Sequence, residues 1–295
     1  MTNFAILTDS CSDLTAPLRE RFGVDGYVPG ALVYPDGSNH YADLDWKNMT
    51  PAQFFGTMKD KKGGLFTSAQ IGLQDVADRF EPLLQQGRDI LFVAFSSQLS
   101  GTINNVYAAR DELLAKYPQR KFIVVDTLSI SGPMTMLLLK AHELYREGKS
   151  MEEVAQWLEE NKLRAQAFFT VDDLKYLKRG GRLSATSAVL GTMLDLKPII
   201  VESKEGKLLP VDKVRGRKKS LNALVDHMEK SAVQPIDQQM VFITHGDCLE
   251  EAEYVAEQVK ERFGVKEVVI NYVDPVIGAH SGPGTMALFF LADKR

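Results

Sequence analysis

The first half of the chain alternates short apolar runs with stretches whose apolar residues recur at helical spacing. The apolar runs predict strands over Phe4–Leu7, Tyr27–Val33, Ile90–Phe95 and Phe122–Val125. The helical spacing predicts helices over Leu14–Phe22, Ile71–Leu84 and Ile103–Tyr117. This alternation of strand and helix indicates a mostly parallel sheet with helices on both faces.

The pattern changes after Ser150, which forms a capping box with Glu153 at the start of a predicted helix over Met151–Leu163. Strands predicted over Lys197–Glu202 and Lys207–Val211 flank a Glu-Gly turn and make an antiparallel hairpin. The remaining predicted strands are Phe168–Val171, Met240–Thr244 and Glu267–Tyr272, and the remaining predicted helices are Ser184–Leu194, Lys218–Met228 and Glu250–Phe263. We therefore predict an α/β protein of two domains. Residues 1–150 form a mostly parallel domain, and residues 151–295 form a mixed-sheet domain.

Composition narrows the class of protein. The chain has 295 residues, 44% hydrophobic residues and a net charge of −4, so a general nucleic-acid surface is not expected. Cys11 and Cys248 stand in no metal-ligand or redox spacing, which fits a reducing compartment. The amino terminus has no signal-peptide pattern, and no apolar run approaches the ~20 residues that span a bilayer. A cytoplasmic protein is therefore predicted.

The most informative segment is the loop Ser96–Thr102, which connects a predicted strand to a predicted helix. It carries four hydroxyl side chains and Gly101 at the place where open α/β sheets bind ligands. A helix N-terminus there favours an anion, but the loop has no Lys, no Arg and no Walker glycine spacing. Capping would account for about two hydroxyls, so a site for a modest anion such as a carboxylate and a purely structural loop are equally good interpretations.

Three further segments carry candidate chemistry. In Phe66–Gln70 the hydroxyls of Thr67 and Ser68 are predicted to cap a helix. In Gly278–Gly284, glycines surround His280 in a predicted turn that would let a ligand approach the backbone. In Tyr176–Ser184, a helix C-cap followed by an N-cap explains most residues.

Basic residues offer contacts at the surface. Arg179 and Arg182 remain available in the segment Tyr176–Ser184. The cluster from Lys213 to Lys219 is predicted at the start of a helix. A solvated face is the first interpretation of this cluster, docking of an acidic partner the second, and nucleic-acid binding a distant third.

Two enzyme classes compete with a binding protein. In an acyl hydrolase or transferase, Ser97 or Ser100 would be the nucleophile and His280 the base, oriented by Asp9 or Asp126. The chain has no G-x-S-x-G elbow, which disfavours this class. A phosphotransferase is disfavoured because no Walker motif and no kinase signature set is present.

The ordered segments resemble the DegV family along essentially the whole chain. Those that carry the resemblance are Thr67-Ser68, Ser96–Thr102, Tyr176–Ser184 and Gly278–Gly284, supported by Leu7–Leu14, Val125–Thr127, Leu196–Ile199 and Lys213–Gly216. Two positions depart from the family pattern, Ala69 after the Thr-Ser pair and Cys11 in the first turn. Neither departure removes a group to which a role is assigned.

The resemblance implies a two-domain α/β fold that holds one long-chain fatty acid in a buried tunnel between and within the domains. By matching position, Thr67, Ser100 and His280 would meet the carboxylate, with Ser68 and Ser97 nearby. Bacterial members of the family present the fatty acid to a fatty acid kinase, which makes acyl phosphate for phospholipid synthesis. The resemblance thus implies a carrier without catalytic residues, metal or cofactor, and at most transient membrane contact.

The chemistry of a fatty acid agrees with this expectation. Roughly 14 buried methylenes at ~0.8 kcal/mol each contribute on the order of 11 kcal/mol before ordering costs. Hydroxyls would orient the carboxylate, and His280 could donate a hydrogen bond or carry a proton. Arg182 and Arg215 are candidate docking residues for the kinase. Candidates for the apolar wall are Leu183, Val189, Leu190, Met193, Leu194, Met286, Leu288 and Phe289.

Overall fold

The computed structural model describes residues 3–60, 63–183, 196–293 and 295. The strands are β1 (Phe4–Asp9), β2 (Gly26–Val28), β3 (Ala31–Val33), β4 (Asn39–Tyr41), β5 (Thr67–Ala69), β6 (Asp89–Ala94), β7 (Phe122–Asp126), β8 (Ala165–Thr170), β9 (Leu196–Glu202), β10 (Leu208–Arg215), β11 (Met240–His245), β12 (Glu267–Tyr272) and β13 (Met286–Leu291). The helices are α1 (Ala16–Phe22), α2 (Pro51–Lys59), α3 (Leu73–Gln85), α4 (Thr102–Lys116), α5 (Ser131–Arg146), α6 (Met151–Asn161), α7 (Lys175–Gly180), α8 (Arg217–Ser231), α9 (Leu249–Phe263) and α10 (Pro275–Ser281). The helix predicted over Ser184–Leu194 lies outside the described residues.

The first sheet is parallel throughout, with strand order β2-β1-β6-β7. Successive side chains of a strand point to opposite faces, so each central strand supplies two apolar cores. Phe4 and Ile6 pack on the side of α5 and α6, whereas Ala5 and Leu7 pack on the side of α3 and α4. The predicted parallel sheet with helices on both faces is confirmed.

The second sheet is mixed, with strand order β10-β9-β8-β13-β11-β12. Only β11 and β12 run parallel among its described neighbours. The predicted hairpin is confirmed as β9 and β10, and β10 extends to Arg215. Helices α8 and α9 cover one face, and the other face packs against residues such as Phe95 and Met134 from the first half of the chain.

The single strand predicted over Tyr27–Val33 is wrong, because the structure has two strands there. β2 belongs to the parallel sheet, whereas β3 pairs with β4 and β5 in a small three-stranded sheet. Pro29 between them has no N–H to donate to a ladder. The N–H of Gly30 instead donates to the hydroxyl of Ser10 at 2.9 Å.

The helix caps predicted at Thr67 and Ser68 are also wrong. These residues form β5, which pairs with β3, and α3 begins later with Gly72 as its N-cap. Asp75 in the first turn of α3 accepts a hydrogen bond from the Gly72 N–H at 3.2 Å. The capping box predicted at Ser150 is confirmed at the start of α6.

Helix α5 has no counterpart among the predicted elements. It contacts β1 and β6 of the parallel sheet and also β8, β11 and β13 of the mixed sheet. The boundary between residues 150 and 151 stays a prediction. Within the described ranges, none of the helices is long and apolar enough to cross a membrane.

Candidate functional site

A cavity of about 300 Å³ lies between the parallel and the mixed sheet. Its lining is mostly apolar and includes Phe95, Leu99, Ile130, Phe169, Leu177, Val276, Ile277 and Phe289. The volume falls at the lower end of the roughly 300–1,000 Å³ typical of small-molecule sites. The site therefore suits a ligand that is mainly hydrocarbon.

Polar side chains meet at one part of this lining. The hydroxyl of Ser68 lies 2.7 Å from Nε2 of His280. The hydroxyl of Ser100 donates to Oγ1 of Thr102 at 3.0 Å, and both residues line the cavity. Arg182 also lines the cavity and donates from Nε to the Leu99 carbonyl at 3.2 Å. The predicted site residues Ser68, Ser100 and His280 are thus brought together on one cavity wall.

His280 lies in the last turn of α10, not in the glycine-rich turn that was predicted. Asp274 caps this helix by accepting hydrogen bonds from the N–H groups of Val276 and Ile277 at 2.8 and 3.0 Å. A proline after a capping carboxylate starts a helix readily, and Asp274-Pro275 is the signal in the sequence that indicates α10. Glycines with positive φ, Gly282 and Gly284, follow the helix and turn the chain into β13.

His280 is held in its neutral form. Burial, together with the positive charges of Arg182 and Arg179, lowers its pKa to about 4. A neutral imidazole has one N–H donor and one acceptor nitrogen, so it can orient the Ser68 hydroxyl but adds no charge at pH 7. The expectation that His280 carries a proton to match a carboxylate is therefore not supported by its surroundings.

Arg182 lines the same cavity as Ser68, Ser100 and His280, where the sequence predicts hydroxyl groups and a histidine but no cation. Of the described residues that line the cavity, it is the one cation. Its guanidinium is fixed by the carbonyls of Leu99 and Gly180. The sequence indicates only a docking role for Arg182, because a residue after two glycines gives no sign of which surface it faces. Its docking role stays a prediction.

Thr67 and Ser97 do not line the cavity. In β5 only Ser68 is half-buried, whereas Thr67 and Ala69 are exposed, as strand alternation requires. Ser97 accepts a hydrogen bond from the Gln98 amide at 3.3 Å. The preceding Ser96 is buried and donates to the Gly206 carbonyl of the β9–β10 turn at 2.8 Å. Two of the four loop hydroxyls are therefore outside the cavity.

The docking candidate Arg215 is exposed at the end of β10 and does not line the cavity.

The apolar wall is partly as predicted. Phe289 lines the cavity, but Met286 and Leu288 pack in the core under α8 and α9, because they lie on the opposite face of β13. Leu183 is buried in the cluster of residues around the cavity without lining it. The other candidates, Val189, Leu190, Met193 and Leu194, lie outside the described residues.

Two buried acids also line the cavity. Asp9 accepts hydrogen bonds from the N–H groups of Cys11 and Phe95, both at 2.9 Å. Burial raises the pKa of Asp9 to about 6, although these backbone hydrogen bonds lower it. Burial also raises the pKa of Glu202. A ligand carboxylate next to either acid would be repelled when the acid is ionised, so the wall with Arg182 is the favourable place for it.

The arrangement expected of an acyl hydrolase is not assembled among the described residues. Ser100 bonds Thr102 rather than His280, and Asp9 bonds backbone amides. Asp126 accepts from the N–H groups of Leu128 and Ser97. The described residues also contain no group of three or more His, Cys, Asp or Glu that could hold a metal.

A comparison with known protein families shows which family this chain belongs to. The model of the DegV family matches residues 3–293. The chain belongs to the DegV family. A DegV domain-containing protein of Clostridium perfringens is 39% identical over 295 residues, which cover 100% of this chain and 99% of that protein. One from Streptococcus pyogenes is 32% identical over 291 residues, with 99% of each chain covered.

Solved DegV structures have the same fold. A DegV family protein from Thermus thermophilus, whose structure is described as fatty acid binding, is 29% identical with a TM-score of 0.85. DegV from Bacillus subtilis, described as a fatty acid binding protein, is 26% identical with a TM-score of 0.84. Each match covers 99% of this chain and 100% of the other. The predicted α/β fold, with a parallel and a mixed sheet, is confirmed.

Proposed function

We propose that this DegV protein binds one long-chain fatty acid in the cavity between its two larger sheets. The observation that carries the proposal is a mostly apolar cavity with a polar wall of Ser68, Ser100, His280 and Arg182, of which Arg182 is the cation. The fatty-acid-binding relatives from Thermus thermophilus and Bacillus subtilis support it. The alkyl chain would occupy the apolar lining, and the carboxylate would face the polar wall.

Each polar group has a separate task in this arrangement. The Ser100 hydroxyl and the Ser68 hydroxyl, oriented by neutral His280, donate hydrogen bonds to the carboxylate. Arg182 supplies a positive charge at modest desolvation cost, because the residue is only half-buried. Burial of methylenes supplies most of the binding energy, and the polar wall fixes which end of the ligand faces it.

We further propose that the protein is a carrier that presents the carboxylate to a fatty acid kinase, which forms the acyl phosphate used in phospholipid synthesis. The polar wall supports this role, because Ser68, Ser100 and Arg182 are all partly exposed. A cytoplasmic location fits such a partner. The exposed Arg215 remains a candidate contact for the kinase.

Native mass spectrometry of the purified protein, before and after organic extraction, tests the binding proposal. We expect one fatty acid per chain. Ser100→Ala should weaken oleate binding at least tenfold, since a hydrogen bond to a charged group contributes about 1.5–3 kcal/mol. Ser97→Ala is the matched control, because Ser97 is on the same loop outside the lining and should leave the affinity unchanged. A protein that carries no fatty acid and ignores both oleate and palmitate would contradict the proposal.

The kinase proposal needs its own test. Arg215→Glu should leave oleate binding unchanged and reduce acyl phosphate formation when the protein is supplied to a fatty acid kinase with Mg-ATP. Trapping the product as a hydroxamate measures the rate. An unchanged rate would remove Arg215 from the docking surface, and no product with the parent protein would contradict the carrier role.

The Ser68–His280 hydrogen bond of 2.7 Å is the observation that favours an acyl hydrolase as a second candidate. Here Ser68 would be the nucleophile and His280 the base. A histidine whose pKa is about 4 is a weak base, which disfavours this candidate. Turnover of a generic acyl ester that is abolished by Ser68→Ala would establish it.

A further inference from the structure

A second apolar groove lies along the later part of α5, from Met136 to Arg146, whereas Ser131 at the start of α5 lines the first cavity. It has a volume of about 490 Å³ and is formed by α1, α5, α6 and the ends of β11 and β13. Its apolar lining includes Phe22, Met136, Leu139, Trp157, Met240 and Leu291. Leu291 is 36% exposed, although it belongs to a central strand of the mixed sheet. The groove therefore leaves hydrocarbon in contact with water.

The groove and the first cavity share one face of the mixed sheet. Along β13, Ala287 and Phe289 line the cavity, and Leu291, two residues further on, lines the groove. Phe242 of β11 lines the groove and stands directly opposite Phe289 in the antiparallel register. The ring of Phe289 packs so closely on α5 that a Cβ at Gly132 would lie 2.1 Å from it. Phe242 and Phe289 thus separate two distinct sites.

Cations dominate the polar part of the groove. Lys140, Arg146 and Arg164 line it, together with a single acid, Glu143. Lys140 pairs with Glu143 at 2.8 Å. Arg146 donates to the Phe22 carbonyl, and Arg164 donates to the Asn161 amide oxygen at 3.4 Å. Within the described part of the chain, neither arginine has a carboxylate within 4.0 Å. The groove has surplus positive charge beside its apolar floor.

We propose that this groove is a second binding site, for a single-chain amphiphile with an anionic headgroup. The chain would lie on the floor between Met136, Trp157 and Leu291. The headgroup, a carboxylate or a phosphate, would meet Arg146, Arg164 and Lys140, whose combined charge exceeds that of Glu143. An apolar floor with a cationic rim matches these two parts of such a molecule and provides no counterpart for a neutral lipid headgroup.

Trp157 provides a direct readout. The sequence has two tryptophans, so a Trp46→Phe chain reports from the groove alone. This chain is first loaded with one equivalent of unlabelled oleate to fill the first cavity and is then titrated, below the micelle concentration, with 9,10-dibromostearate, which quenches tryptophan on contact. We expect saturable quenching of Trp157, and at least tenfold weaker quenching by the uncharged methyl ester. Competition by oleate and by oleoyl lysophosphatidic acid then distinguishes a carboxylate from a phosphate headgroup.

Two double variants test whether the cations of the groove, and not surface charge in general, bind the headgroup. Lys140→Gln with Arg164→Gln should weaken quenching at least tenfold. Lys47→Gln with Lys204→Gln changes the net charge equally at side chains that are 75% and 71% exposed, and should have no effect. The proposal is overturned if Trp157 is not quenched, if the methyl ester binds equally well, or if the groove variant behaves like its control. A failed first site would instead appear as missing bound fatty acid, with quenching of Trp157 retained.

Discussion

The neighbouring residues Gly180 and Gly181 show how differently one residue type can act at the edge of a site. Gly180 is the last residue of α7, and a Cβ there would lie 2.3 Å from Nδ1 of His280. Gly181 has a φ of +67° and nothing within 4 Å of the position of its missing Cβ. The first glycine is required by the close approach of the histidine, and the second by the left-handed backbone that ends the helix.

Gly180→Ala should therefore displace His280 and weaken oleate binding roughly tenfold, or about 1.4 kcal/mol. Gly181→Ala should cost about 1 kcal/mol of unfolding free energy through its backbone conformation and leave oleate affinity unchanged. Isothermal titration and urea denaturation of both variants measure the two effects. Equal affinities for the two variants would show that the packing of His280 on α7 does not position the carboxylate.

At the scale of elements, α5 connects the two larger sheets and is buried along most of its length. Ten of its 16 residues are buried, including His142 at 3% exposure. Nε2 of His142 has no hydrogen-bond partner among the described residues. Burial lowers the pKa of His142 from 6.5 to about 4, because a charged imidazole would lose its hydration. The helix thus contains a group that opposes folding in acid.

The sign of this effect follows from proton uptake. Below about pH 6.5 the unfolded chain protonates His142, whereas the folded chain keeps it neutral until about pH 4, so stability is lost as the pH falls through this window. His142→Leu should remove the loss, and its stability relative to the parent should rise by roughly 2 kcal/mol between pH 7 and pH 5.

Urea denaturation at both pH values measures the effect of His142→Leu. Leu138→Met, a non-titrating change in the same helix, should show no such pH dependence. A pH-independent difference for His142→Leu would contradict the assignment.

At the scale of the whole molecule, one buried ion pair joins distant segments. Nη2 of Arg295 lies 2.5 Å from Oε2 of Glu202, with side-chain exposures of 2% and 1%. The same guanidinium donates to the carbonyls of Leu128 at 2.6 Å and Ala165 at 3.1 Å. Arg295 therefore connects β8 and β9 of the mixed sheet to the loop that follows β7.

Arg295→Met should lower the unfolding free energy by roughly 3–5 kcal/mol, because it leaves the Glu202 carboxylate buried without its partner. Adding Glu202→Gln should recover at least half of the loss, since the second change removes the unpaired charge. Urea denaturation of the single and double variants measures both steps. A double variant that is less stable than Arg295→Met would contradict this account.

How well the sequence predicts a helix or strand depends on how that element is buried and paired. Strands with continuous apolar runs, such as β1 and β6, were predicted within two residues of their bounds, because burial on both faces leaves a clear local signal. Helix α5 was missed because it begins with Ser131-Gly132-Pro133, a sequence typical of a turn. The three-residue strand β5 was missed and β3 was merged with β2, because such short strands depend on a partner that is distant in the chain.

By itself, the sequence determined the class of fold, because apolar periodicity is a property of short segments. Its ordered motifs indicated the family, and the family resemblance, not local chemistry, pointed to Ser68, Ser100 and His280, which line the cavity. Only the tertiary structure decided that Arg182 joins those residues and that Thr67 and Ser97 lie outside. Which side chains share a wall depends on strand alternation and on the packing of α7 against α10, and neither is a property of a single segment.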